Sequence, residues 1–100
     1  MSRRVIFRRV ARVEFDEAIA WYEQKRPGLG AEFEAETNAL LERIKEHPGR
    51  FRLITPHVRR APLKRFGYFS IYFTEAPDRI GVLAVFHAKR DPEDLRERLK

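Results

Sequence analysis

The chain contains no cysteine and only one methionine among its 100 residues. The missing cysteines exclude disulfide bonds, thiolate nucleophiles and cysteine-ligated zinc. Apolar runs are short as well, because no stretch approaches the ~18 apolar residues that a membrane-spanning helix needs. Residues 1–9 also lack the apolar core of a signal peptide. We therefore expect a cytoplasmic protein that has neither disulfides nor membrane segments.

Acidic residues are missing from two long segments, residues 1–13 and residues 50–74. The net charge is +6 and the isoelectric point is about 10.2, so the expected partner is anionic, either a nucleic acid or an acidic protein. Folding that preserves this segregation would produce one positive face. The alternative is that the arginines are scattered, solvated side chains. The cations of the second segment are Arg50, Arg52, Arg59, Arg60, Lys64 and Arg65.

Two amphipathic helices are predicted in the first half of the chain. The apolar positions of the first recur at helical spacing from Ala11 through Phe15 to Tyr22, and those of the second from Phe33 to Ile44. The sequence Pro-Gly-Leu-Gly at residues 27–30 separates them, since proline lacks a backbone donor and glycine admits left-handed backbone. A connection this short makes the helices antiparallel neighbours.

Strand patterns surround this helical hairpin. Residues 5–9 precede it, and residues 58–63, 68–73 and 80–86 follow an extended loop at residues 50–57. Asp91 and Pro92 suit the N-cap and first turn of a short C-terminal helix. We predict a single α+β domain over residues 1–100. Its helical hairpin packs on one face of a three- to four-stranded antiparallel sheet.

Four stretches in this order resemble the RelE/ParE superfamily of toxins, often called plasmid stabilisation proteins. They are AIAWYE at residues 18–23, PGLG at 27–30 leading to Phe33, Arg59-Arg60 ahead of Phe66-Gly67-Tyr68, and VLAVFHAKRDP at 82–92. The resemblance covers most of the chain and implies a growth-inhibiting toxin of a type II toxin–antitoxin system. It also implies a separate antitoxin that wraps and neutralises the toxin as a hetero-oligomer. RelE-like members cut messenger RNA on the ribosome, whereas ParE-like members poison DNA gyrase.

A metal-independent ribonuclease would need a group that accepts the 2′-hydroxyl proton, and cations over the phosphate. The candidates for these roles are His87, Arg90, Arg60 and Lys64. Two departures weaken this interpretation. Phe69 stands where RelE-like ribonucleases typically carry an arginine, and no tyrosine follows Tyr72. We therefore favour a ParE-like block of gyrase, with the ribonuclease as the alternative and a non-toxic nucleic-acid-binding domain as the second alternative.

The same sequence features define two sets of binding residues. Trp21, Arg59 and Arg65 are the candidates for contact with the antitoxin. No cofactor is expected, and the three histidines share no metal-binding spacing. The candidates for contact with the target or with nucleic acid are Arg50, Arg52, Arg59, Arg60, Lys64, Arg65, Tyr68, Lys89 and Arg90.

Overall fold

The predicted order of helices and strands is confirmed in the computed structural model, which describes residues 3–100. The predicted loop at residues 50–57 differs, because it contains the end of a short 3-10 turn and an additional two-residue strand, β2. The elements are β1 (Arg4–Phe7), α1 (Arg9–Lys25), α2 (Leu29–Glu46), the 3-10 turn (Pro48–Arg50), β2 (Arg52–Leu53), β3 (Arg59–Pro62), β4 (Phe69–Ala76), β5 (Arg79–His87) and α3 (Pro92–Arg98).

The strands form one mixed sheet in the order β1-β5-β4-β3-β2. The antiparallel pairing of β3, β4 and β5 agrees with the prediction, but the sheet has five strands instead of three or four. One addition is β2, which extends the β3 edge. The N-terminal strand β1 also differs from the prediction of an antiparallel sheet, because it pairs parallel to β5, with Val5 opposite Ile80. Two parallel neighbouring strands require a long crossover connection. The chain that connects β1 to β5 begins with the α1–α2 hairpin.

The helical hairpin covers one face of the sheet, as predicted. Each helix buries the apolar stripe that its spacing defines, and the two stripes meet in one aromatic core. The ring of Phe33 is central to it, lying 6.0 Å from Phe15, 5.2 Å from Phe66 and 5.3 Å from Phe69. Side chains of β4 reach this core at alternate positions, namely Phe69, Ile71 and Phe73.

The turn of the hairpin depends on two glycines and one glutamate. Gly28 has a φ of 89°, a left-handed conformation that strongly favours glycine. Gly30 lies where the helices approach most closely, because a Cβ atom there would stand 2.5 Å from the carbonyl oxygen of Ile19. The carboxylate of Glu23 accepts hydrogen bonds from the backbone N–H groups of Gly28 and Gly30. It thereby satisfies donors at the start of α2 that no helical carbonyl can reach.

The face of the sheet opposite the hairpin is partly covered by α3. The predicted N-cap is confirmed, since the Asp91 side chain accepts a hydrogen bond from the backbone N–H of Glu93. None of the α3 residues is buried. The helix is held instead by Arg98, whose guanidinium reaches Glu14 of α1 and lies 5.7 Å from the ring centroid of Phe86. The position of α3 therefore reduces the exposed part of this face.

Within residues 3–100, none of the helices has the length and apolar character that crossing a membrane would require.

Candidate functional site

The β3–β4 loop and the end of β5 meet at one end of the sheet. Phe69 opens β4 directly opposite His87, the last residue of β5. Just beyond these strand ends, the carbonyl of Tyr68 accepts a hydrogen bond of 2.7 Å from the N–H of Ala88, which joins the residue before β4 to the residue after β5. The imidazole of His87 consequently stacks on the Tyr68 ring, with centroids 5.4 Å apart, and meets the Phe69 ring edge-on at 4.9 Å.

The surroundings of His87 favour its neutral form. Partial burial lowers the pKa of His87 below its ordinary value, and the nearby charge of Lys89 lowers it further. The Nδ1 atom accepts a hydrogen bond of 3.0 Å from the backbone N–H of Lys89. This bond places the remaining ring proton on Nε2. The side chain is therefore able to donate from Nε2 to a partner at neutral pH, and it carries little charge of its own.

Two cavities on either side of His87 form what we call the aromatic cleft. Both are lined by His87 and by Trp21 of α1. The first measures about 380 Å³ and is also lined by Glu14, Glu17, Ala18, Phe69, Val85 and Arg90. The second measures about 480 Å³ and is also lined by Tyr22, Arg65, Phe66, Gly67 and Tyr68. Trp21 is 48% exposed and Tyr68 is 58% exposed, so the cleft presents two large aromatic side chains to solvent.

Three of the predicted binding arginines form ion pairs with glutamates. Arg65 pairs with Glu32, Arg90 pairs with Glu14, and the Nε of Arg59 lies 3.1 Å from Glu75 Oε1. In this structure these three side chains therefore already have acidic partners within the chain. Glutamates from the helices and from β4 fold back onto the basic segments, which composition along the chain does not reveal. Among residues 3–100, five of the predicted cations make no ion pair with a carboxylate: Arg50, Arg52, Arg60, Lys64 and Lys89.

Glu14 is a residue that the sequence reasoning missed. Its carboxylate accepts hydrogen bonds from the backbone N–H of Val85 and from the side chains of Arg90 and Arg98. Burial alone would raise the pKa of Glu14, but these hydrogen bonds outweigh burial and hold it below the ordinary value. The only signal in the sequence is an acidic residue beside the apolar stripe of α1, and its partners lie 71 or more positions away.

The four candidate catalytic residues do not converge. Arg60 pairs with Tyr72 across the sheet, whereas His87 pairs with Phe69. Phe69 and Tyr72 are three positions apart on β4, which separates them by about 10 Å and points them to opposite faces. Arg60 therefore lies on the face opposite the hairpin, while His87 faces the helices with Arg90 beside the same cavity. Lys64 is exposed on the β3–β4 loop, at the His87 end of the sheet.

Comparison with known proteins is decisive for the family. The model of a family described as the ParE toxin of the type II toxin–antitoxin system parDE matches residues 5–92. The chain belongs to the ParE toxin family. A solved structure titled "Chromosomal ParDE TA system from P. aeruginosa" superposes with a TM-score of 0.72. The two are 17% identical, and the match covers 86% of this chain and 96% of that one, so the likeness concerns the fold. No curated protein matches the chain.

The ParE-family fold divides the predicted binding residues into two groups. Arg65, Tyr68 and Arg90 line the aromatic cleft, Lys89 lies over the Tyr68 ring, and Lys64 belongs to the adjoining β3–β4 loop. Arg52 and Arg60 are opposite each other on β2 and β3, with Arg50 and Arg59 nearby at the same edge of the sheet. The single positive face that we expected is thus two separate basic regions, because the strands carry the basic segments to different places.

The predicted antitoxin residues are divided in the same way. Trp21 and Arg65 line one cavity of the aromatic cleft together with Tyr68 and His87. Arg59 lies away from it and donates a 2.7 Å hydrogen bond to the carbonyl of Phe51, which fastens the loop before β2. Within residues 3–100, no three histidine, aspartate or glutamate side chains cluster closely enough to hold a metal ion.

Proposed function

We propose that this ParE-family toxin stops growth by binding a protein target, DNA gyrase, and not by cutting RNA. The observation that carries the proposal is the separation of Arg60 from His87 by opposite faces of the sheet. Cleavage of RNA requires the proton acceptor and the phosphate-binding cations to converge on one phosphate. A ribonuclease built on these four residues would lack Arg60 at the scissile bond, and Phe69 is buried where an arginine would supply charge.

The aromatic cleft is the surface that we propose for the target. Exposed tryptophan and tyrosine side chains are the residues that most often dominate protein–protein affinity. Here each ring carries a cation on its face: the Nζ of Lys25 lies 4.5 Å from the Trp21 ring, and that of Lys89 lies 5.2 Å from the Tyr68 ring. Such a surface combines apolar area with positive charge, which suits a partly acidic protein.

We further propose that a cognate antitoxin neutralises the toxin by occupying the same cleft. Trp21 and Arg65 were the candidates for the antitoxin, and Tyr68 was a candidate for the target, yet all three line one cavity. Because a cavity of about 480 Å³ does not admit two protein segments at once, antitoxin and target would compete for it. Neutralisation then requires no change in the fold. We place the resulting hetero-oligomer in the cytoplasm, where gyrase acts.

The test is a supercoiling assay with purified gyrase, relaxed plasmid and increasing amounts of the toxin. We expect supercoiling to be lost, and gyrase-dependent DNA breaks to appear when the toxin is expressed in cells. Trp21→Ala should relieve inhibition, whereas Val13→Ala should not, although the two side chains lie on α1 with exposed fractions of 48% and 47%. Unchanged supercoiling at saturating toxin would refute gyrase as the target.

One observation favours the alternative of a ribosome-dependent ribonuclease. His87 carries its proton on Nε2 and stacks on an exposed tyrosine, an arrangement able to donate a proton to the leaving oxygen of a cleaved RNA. Codon-phased cleavage of messenger RNA in a translation extract would establish it. His87→Ala should then abolish cleavage, and Arg60→Ala should leave it intact because Arg60 lies on the other face.

A further inference from the structure

The face opposite the hairpin carries a groove that the proposed target and antitoxin contacts do not use. We call it the C-terminal groove, because α3 forms one wall and the loop after β2 forms the other. Its apolar surface comes from Ile54, Tyr72, Leu95 and Leu99, and its volume is about 430 Å³. Ile54 is 38% exposed, and the other three side chains are half-buried. Apolar side chains so placed are available to a partner without any rearrangement of the core.

The rim of the groove is positive. Arg60, Arg96 and Lys100 line it, and no aspartate or glutamate does. Arg60 makes no ion pair among residues 3–100. In the described part of the chain, Arg96 and Lys100 pair only with the glutamates three positions before them, Glu93 and Glu97, in exposed contacts. Exposed pairs of this kind contribute little and are exchanged easily for a partner's carboxylates.

We infer that the C-terminal groove binds an amphipathic helix of a partner protein, with an apolar stripe and acidic flanks. Leu95 of α3 and Leu99, the residue that caps the helix, are four positions apart, so they form an apolar ridge against which a second helix can pack. The acidic flanks follow from the cations of the rim, since Arg96 and Lys100 lie on the α3 side and Arg60 comes from β3. The first cavity of the aromatic cleft is less suited to an acidic partner helix, because Glu14 and Glu17 line it.

The attachment of α3 to the rest of the protein provides a control variant for the groove. No α3 residue is buried, and the helix is anchored through Arg98 to Glu14. Neither residue lines the groove. Arg98→Ala should therefore weaken binding of the helix by loosening one wall, without removing any contact with it. This inference does not depend on gyrase or on the aromatic cleft.

The experiment measures binding of a fluorescent helical peptide of about 15 residues, long enough to form a helix. Its leucines are spaced at i, i+4 and i+7, and glutamates flank them. A matched probe carries lysines in place of the glutamates. We expect the acidic probe to bind at least about tenfold more tightly than the basic one, and its affinity to fall with rising salt. Equal affinity of the two probes would overturn the inference.

Paired variants locate the binding site. Leu99→Glu should weaken the acidic probe at least about tenfold, whereas Val13→Glu, with the same charge change at an exposed apolar residue of α1, should not. Arg60→Gln should weaken it and Arg50→Gln should not. Circular dichroism melting confirms that each variant is folded. Equal losses of affinity for the acidic probe within either pair would contradict the assignment of the binding site. Self-association in ultracentrifugation that the acidic probe fails to reverse would also contradict it, because a second copy would then occupy the groove.

Discussion

Glu14 and Arg98 form a two-point ion pair across 84 positions of sequence, with both carboxylate oxygens 2.8 Å from guanidinium nitrogens. The two side chains are only 11% and 14% exposed. The pair connects α1 to α3, and the Val85 N–H and Arg90 add β5 and the loop after it. Four parts of the fold thus share contacts with one carboxylate. Replacing Glu14 therefore tests how the C-terminal part of the chain is attached to the rest of the fold.

Replacing Glu14 with glutamine should therefore destabilise the protein. The amide keeps the shape of the carboxylate but loses its charge, and two guanidinium groups lose their shared partner. We expect a loss of about 2 kcal/mol in unfolding free energy, which for a chain of this size corresponds to a melting temperature lower by roughly 10 °C. The control is Glu34→Gln, at an exposed glutamate of α2. Equal melting of the two variants would show that the carboxylate network contributes nothing.

The same carboxylate predicts a loss of stability in acid. Because the folded pKa of Glu14 lies below its ordinary value of 4.5, folding favours the ionised form. The stabilisation is complete above that ordinary value and is lost as pH falls below it, through the lower folded pKa. Urea unfolding across this range should show a smaller loss on acidification in Glu14→Gln than in the parent protein. Parallel pH profiles for the two proteins would contradict this.

Gly30 should not tolerate a side chain. An alanine Cβ there would stand 2.5 Å from the Ile19 carbonyl, so α1 and α2 would have to move apart. We expect Gly30→Ala to cost about 2 kcal/mol, a magnitude typical of forced separation of packed elements. Gly49→Ala is the matched control, because no atom lies within 4 Å of a Cβ built at that position. Thermal unfolding of the two variants measures the difference, and a Gly30→Ala protein as stable as the control would disprove the close approach.

Local patterns explain why so much of the fold could be predicted. The hairpin follows from apolar residues at helical spacing, and Phe33 lies in the core as that spacing requires. The N-cap at Asp91 is a signal contained within three residues. These features depend on neighbours in sequence, so one chain is enough to find them.

The remaining features depend on distant contacts that no local pattern encodes. The parallel pairing of β1 with β5 joins Val5 to Ile80. The pairing of Arg65 with Glu32 cancels a charge that composition counted as free. Arg60 and His87 were placed in one catalytic set because both are suited to the chemistry. Their opposite faces follow from strand register, which becomes visible only when the sheet is assembled.

The pKa of His87 should lie below its ordinary value of 6.5, because of partial burial and, secondly, the charge of Lys89. Removing that charge in Lys89→Ala should raise the pKa of His87. Lys25→Ala, which removes a cation from the Trp21 ring, should leave it unchanged. Histidine ring signals followed by NMR against pH measure the midpoint. In the parent protein, protonation of His87 opposes folding, so stability should decline as pH falls below about 6.5. An unchanged titration midpoint in Lys89→Ala would show that Lys89 does not lower the pKa of His87.

Trp21 gives the sharpest test of whether target and antitoxin share one surface. It lines both cavities of the aromatic cleft and is half-exposed, so its truncation removes contact area without opening the core. If both partners bind there, Trp21→Ala should lower affinity for the antitoxin and for gyrase by about 30-fold or more each, the range of an aromatic hot spot. Val13→Ala should change neither. Calorimetry measures the two affinities, and growth on expression measures toxicity. A variant that loses antitoxin binding but remains fully toxic would place the target elsewhere on the molecule. It would also reject competition as the basis of neutralisation.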